Sequence, residues 1–133
     1  MEKNNEVTIL LDNEYCKVEL SGSIIFGTWK DSFIDLDIAK KAVSKRLEVT
    51  EGKSYPVLIN IKSVKDSTKE ARDFLASEKG CEGITAGAIL VDSILANMIA
   101  YLFIYLNKPQ IPTKVFKDEA KAKEWLGQFV NKG

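Results

Sequence analysis

From residue 37 onward the chain alternates between two hydrophobic periods, and that alternation limits its fold more than any other feature. Ile38, Ala39, Ala42, Val43 and Leu47 recur at intervals of three and four, one face of an amphipathic helix. Asp35 or Asp37 can cap its start, and Gly52 lies just past its end. Tyr55–Ile61 then reads as a strand, with Pro56 limiting where its first residues pair. Ser67-Thr68-Lys69-Glu70 has the form of a capping box, with the Ser67 hydroxyl accepting from the Glu70 amide. Ala71, Phe74 and Leu75 give the inner face of the helix it opens, and Gly80 ends it. Thr85–Val91 reads as a buried strand, Ser93–Leu106 as an apolar helix and Thr113–Phe116 as a short last strand. A final helix, capped by Asp118, turns Ala122, Trp125, Leu126 and Phe129 inward.

The first thirty residues have a different pattern. Val7–Leu11 and Tyr15–Leu20 flank the polar turn Asp12-Asn13-Glu14 and predict a hairpin, followed by the short apolar run Ile24-Ile25-Phe26. Trp29 to Phe33 has no clear period and reads as strand or loop. Three strands followed by α-β-α-β-α-β-α predict an α/β fold: a single-layer, mostly parallel sheet with an N-terminal antiparallel hairpin and about four helices. At 133 residues, a single domain covering 1–133 is expected.

Composition removes whole classes of function. Lys and Arg number 19, as do Asp and Glu, so the chain lacks the positive footprint of most nucleic-acid binders. It contains no histidine, which excludes a Ser-His-Asp triad, a Cys-His pair, an HExxH zinc site and any imidazole base. The glycine-rich run Gly80–Gly87 precedes a strand, whereas a phosphate loop follows one and opens a helix. No cofactor or metal is expected, and the chain is expected not to be an enzyme. The two cysteines, Cys16 and Cys81, form no CxxC pair. Free thiols in a reducing compartment are expected, with one bridge as the alternative. Cys81, between Gly80 and Glu82, reads as an exposed thiol whose pKa the neighbouring carboxylate would raise. Met1–Glu6 is polar and has no signal-peptide core, so a cytoplasmic location is expected.

Ser93–Leu106 is apolar on every side but too short to span a bilayer. Fourteen residues give a helix of about 21 Å, against a hydrocarbon core of about 30 Å. Such a helix is normally covered on most sides. Three readings stand: core, a homodimer or partner interface, or one wall of a pocket. Asn97, Tyr101 and Tyr105 lie four apart and share one face, with Asp92 just ahead of the helix. These four are the candidate ligand or interface residues. In open α/β sheets the crevice beyond the strand C-termini binds ligands; Asp66 and Asp92 can both lie at that edge, where paired carboxylates can hold a cation or act as acid and base. The other carboxylates that attract notice, Asp35, Asp37, Asp73, Asp118 and Glu119, are mostly placed as helix caps or first-turn residues. Trp125 is expected in the core, and Trp29 is expected to be exposed and to mark a contact surface.

A strand, a short connector and Asp66-Ser67-Thr68 opening a helix together resemble the STAS domain of anti-sigma-factor antagonists and sulfate transporters. In the antagonists an Asp-Ser-Ser/Thr-Gly motif stands there, and a partner kinase phosphorylates its first serine. The resemblance therefore implies Ser67 as a phosphorylation site, although Lys69 replaces the family's glycine. Closer still is the similarity to small uncharacterised bacterial proteins of STAS/Sec14-like type. It is carried by Gly52–Ile59 (GKSYPVLI), Thr68–Phe74 (TKEARDF), Ile111–Phe116 (IPTKVF) and Glu124-Trp125-Leu126. It implies the fold over roughly residues 52–126. Sec14-like relatives bind lipids in an apolar cavity, which implies a second role for the Ser93–Leu106 helix. The expected function is a non-enzymatic protein-binding or regulatory module, binding a partner or itself as a homodimer. The alternative is a carrier or sensor of a small apolar ligand or lipid.

Overall fold

The computed structural model describes residues 6–130; the polar segment Met1–Asn5 lies outside them. In chain order the elements are β1 (Val7–Asp12), β2 (Cys16–Ser21), β3 (Ile24–Trp29), β4 (Phe33–Ile34), α1 (Leu36–Val49), β5 (Tyr55–Asn60), β6 (Asp66–Ser67), α2 (Lys69–Ala76), β7 (Ile84–Leu90) and α3 (Ile94–Leu102). A π-helical turn (Phe103–Asn107), β8 (Thr113–Phe116), α4 (Glu119–Leu126) and a 3-10 turn (Gly127–Phe129) complete the fold.

Six strands form one sheet in the order β1-β2-β3-β5-β7-β8. The hairpin pairs β1-β2 and β2-β3 are antiparallel, and the three remaining pairs are parallel. Gly22 makes the β2-β3 turn in the left-handed region, at φ +63°, where a side chain would be strained. In β1 the register slips between Ile9 and Leu11, leaving an extra residue there. The alternation of side chains along the strands sorts the core into two layers. Ile61, Ile89 and Val91 meet Ala39 of α1, Ala71 of α2 and Ala96 and Ala100 of α3 on one side. Leu58, Ala86, Ala88 and Leu90 meet Ala122 and Leu126 of α4 on the other. An alanine at each helix contact lets the backbone approach the sheet closely. Three helices thus cover one face, and α4 covers the other.

Local chemistry explains most of the boundaries. Asp35 is the cap of α1, its side chain accepting from the Ile38 amide at 2.9 Å. Asp118 caps α4 in the same way, from the Ala120 amide at 2.8 Å. Trp125 lies against Phe116 and Phe129, with ring centroids 5.7 and 4.9 Å away.

One open reading is settled and three expectations are corrected. Phe33–Ile34 is a strand, pairing in parallel with Asp66–Ser67 from across the chain. Because that pairing holds the backbone of Ser67, the cap of α2 moves one residue on: the Thr68 hydroxyl accepts from the Ala71 amide at 3.0 Å, and no Ser67–Glu70 box forms. Trp29 is half-buried and packs against the core under α1–α3. Finally, the Ser93–Leu106 helix is not covered on most sides: only Ala96 and Ala100 of α3 are buried. Among the described residues no helix is long and apolar enough to cross a membrane.

Candidate functional site

Two features attract function, and α3 contributes to both with opposite faces. The first is a cavity of about 180 Å³ between the sheet and helices α1–α3. Its walls come from strands (Val18, Val57, Ile59, Ile89) and from helices (Val43, Leu75, Ile99, Phe103), so they are largely apolar. Its charged side chains are Lys17, Arg46 and Arg72, and no aspartate or glutamate lines it.

The two arginines are held by the chain itself. Arg46 donates to the carbonyl oxygens of Glu82 at 2.7 Å and Gly80 at 3.1 Å, fastening α1 to the loop before β7. Its burial pushes the guanidinium pKa down from the ordinary value, opposed by the weaker attraction of Cys81 and Glu82. Arg72, in the first turn of α2, donates from Nη1 to the Ser67 carbonyl at 2.7 Å and to the Ser67 hydroxyl at 3.0 Å. Among the described residues, neither guanidinium forms an ion pair with a carboxylate. Asp73 is near Arg72 in sequence but is engaged by Lys69 at 2.8 Å and Asn107 at 2.6 Å. Those bonds, that to Lys69 first, hold its carboxyl below the ordinary value.

Ser67 therefore lies half-buried on the cavity wall with its hydroxyl already bonded to Arg72. Sequence reasoning picked out the residue but gave it the wrong structural partner. Thr68→Ala is expected to cost about 1 kcal/mol of stability by loss of the cap. Ser67→Ala is expected to cost less, and the two denaturation midpoints measured side by side check the assignment.

The second feature is the outer face of α3 and the π turn. Ile94, Met98 and Leu106 are 83%, 55% and 71% exposed, and Leu95, Tyr101, Leu102 and Tyr105 are exposed beside them. Tyr101 and Tyr105 stack with ring centroids 5.8 Å apart and planes only 4° from parallel. Asn97 is half-buried, and Asp92 is exposed ahead of the helix. None of Asp92, Asn97, Tyr101 and Tyr105 lines the cavity, whose α3 wall is Ile99, Ala100 and Phe103. The four candidates belong to the outer surface; the sequence offers this helix as one wall of a pocket, but an all-apolar helix has no period to show that Ile99, Ala100 and Phe103 are the residues facing it. Asp66 and Asp92 also form no metal-ligating group: no cluster of three or more suitable side chains occurs among the described residues.

Cys16 and Cys81 are free and buried. Cys81 donates weakly to the Leu75 and Ala76 carbonyls, at 3.5 and 3.7 Å, and is not the exposed thiol its neighbours suggest. Burial, not Glu82, pushes its pKa up; burial likewise raises that of Cys16. A raised thiol pKa means the folded state keeps its protons longer. The stabilisation is full below the unfolded thiol pKa and is lost as pH climbs from there through the folded value. Both thiols are expected to resist a thiol-specific reagent at neutral pH until the protein is denatured, and stability is expected to fall at alkaline pH. Rapid labelling of the native protein would contradict the buried placement.

A family model, the domain of unknown function DUF7793, matches residues 18–130. The chain belongs to the DUF7793 family. The match takes in all three cavity helices, the outer face of α3 and α4. A solved structure is similar over 95% of this chain and 99% of its own, with a TM-score of 0.61 and 15% identity. It is an uncharacterised protein of the DUF3478 family with a SpoIIAA-like fold, from Shewanella loihica PV-4. At that identity the likeness shows the fold, and the STAS-type architecture expected from residues 52–126 is the one present. No curated protein matches the sequence significantly.

Proposed function

We propose that this DUF7793 domain is a non-enzymatic interaction module that docks an apolar protein surface on the outer face of α3 and the π turn. One observation carries the reading: Ile94, Leu95, Met98, Tyr101, Leu102, Tyr105 and Leu106 all expose large apolar side chains along α3 and the π turn. A contiguous apolar patch of more than a few hundred Å² is rarely left bare on a monomer and marks an interaction site. Residues 93–107 contain no charge, so the face cannot select a partner by ion pairing. A second copy of the chain supplies a matching surface, and a two-fold pairing of identical patches is the commonest oligomeric arrangement.

The test is the mass in solution. Light scattering after size exclusion is expected to give a dimer for the natural chain and a monomer for Met98→Glu/Leu102→Glu. Both positions are exposed, so stability is expected to stay within about 0.5 kcal/mol. A natural chain that is monomeric at every accessible concentration would remove the self-docking reading. Regulation through Ser67 fits the same frame, since a phosphate there would meet the Arg72 guanidinium. Intact-mass analysis of protein from its own host is expected to show that phosphate, and an unmodified Ser67 under all growth conditions would count against it.

The second reading, a carrier or sensor of a small apolar ligand, is favoured by the cavity between sheet and helices. At about 180 Å³ it is smaller than the roughly 300–1,000 Å³ pockets that take drug-sized ligands, so its occupant must be small.

A further inference from the structure

We infer that the cavity is a binding site for a small monocarboxylic acid, its apolar part in the cavity and its carboxylate on Arg72. This deepens the second reading above and rests on it. Size sets the apolar part. An apolar cavity of about 150 Å³ takes up benzene, and this one, at about 180 Å³, has room for a phenyl ring or a chain of about five or six carbons.

Charge sets the head group. The wall holds Lys17, Arg46 and Arg72 and no carboxylate, so its lining charge is positive and favours an anionic ligand. Lys17 has Glu19 at 3.7 Å, and both terminal nitrogens of Arg46 are taken by backbone carbonyls. Arg72 differs. Only its Nη1 is used, on Ser67, and among the described residues no acceptor is bonded to its Nε or Nη2. A guanidinium offers a planar fork of donors that matches the two oxygens of a carboxylate. Ser67 and Arg72 both line the cavity, and the Ser67 hydroxyl, which accepts from Arg72, keeps a proton to donate to the same anion. The site thus has an apolar pocket, a positioned cation and one neutral donor beside it.

The experiment titrates unmodified recombinant protein with two acid–amide pairs, hexanoate with hexanamide and phenylacetate with phenylacetamide, followed by methyl NMR of Val57, Val64 and Ile89. Each acid is expected to bind at least about tenfold tighter than its amide, the margin a charge-assisted bidentate contact provides. Arg72→Gln is expected to bring that ratio close to one. Arg72→Lys, which keeps the charge but loses the fork, should fall between the two. If Arg72→Gln fails to fold, Arg72→Lys carries the comparison. Acids and amides binding equally would overturn the carboxylate assignment and leave the cavity reading standing. A preference for acid that survives both Arg72 variants would overturn Arg72 as the anchor. Absence of binding by all four compounds would overturn both this inference and the reading beneath it.

Discussion

Gly80→Ala is expected to be among the most damaging single-methyl additions to this chain, lowering stability by about 3 kcal/mol or more. A Cβ at Gly80 would fall 2.7 Å from the Leu75 Cα and 2.8 Å from its carbonyl carbon, with the Phe74 carbonyl oxygen closer still. These are backbone atoms of the end of α2, so no side-chain rotation relieves the clash. The loop before β7 would have to lift off the helix, taking with it the Gly80 and Glu82 carbonyls that hold Arg46. The effect therefore reaches the cavity, since both Gly80 and Arg46 line it. Gly127→Ala is the matched control. Gly127 has φ −57° with nothing within 4 Å of a new Cβ, and the change is expected to be neutral or to stabilise by about 0.5 kcal/mol. Denaturant midpoints at constant slope measure both. Equal midpoints for the two variants would refute the close packing of the loop on α2.

Leu126→Ala is expected to cost about 3–5 kcal/mol, the upper part of the range for burying and then removing a leucine. Leu126 is completely buried on the face of the sheet that α4 covers alone. Its neighbours there include Ala86, Ala88 and Ala122, which have no side-chain length to swing into the void. Only the larger members of the cluster, such as Leu58, Leu90 and Trp125, can shift toward the void, so collapse is partial. A midpoint shift worth less than about 1.5 kcal/mol, measured by the same denaturation, would mean that α4 is more loosely seated than its packing indicates.

The parts of the fold that sequence reasoning reached are those decided within one or two turns of chain. The hairpin around Asp12-Asn13-Glu14, the Asp35 and Asp118 caps and the order of strands and helices all rest on neighbours close in sequence. The misses have a common physical origin in distant partners. Phe33–Ile34 becomes a strand only because Asp66–Ser67 pairs with it, and that same pairing takes Ser67 out of the cap position. Trp29 and Cys81 have polar or glycine neighbours in sequence but lie under elements contributed from elsewhere. The candidate site divides in the same way. Ser67, Tyr101 and Tyr105 were visible as motif and spacing. An apolar pocket beside the Ser93–Leu106 helix was one of the readings, but its other walls were not visible, because they come from strands and helices that meet only in three dimensions.

The extra residue in β1 bears on how copies of this protein can meet. An edge strand with free amides and carbonyls is a template for adding strands from other molecules, and it is the usual seed of aggregation. Here β1 carries exposed Val7 and Ile9, which would make it a dangerous edge. The register slip beside Ile9 breaks the even spacing that an incoming strand would need. At the opposite edge β8 has only four residues, with an outward Lys114 among them. Both borders of the sheet are therefore poor at recruiting strands, and growth into fibrils is discouraged. Association is steered toward a closed, countable complex.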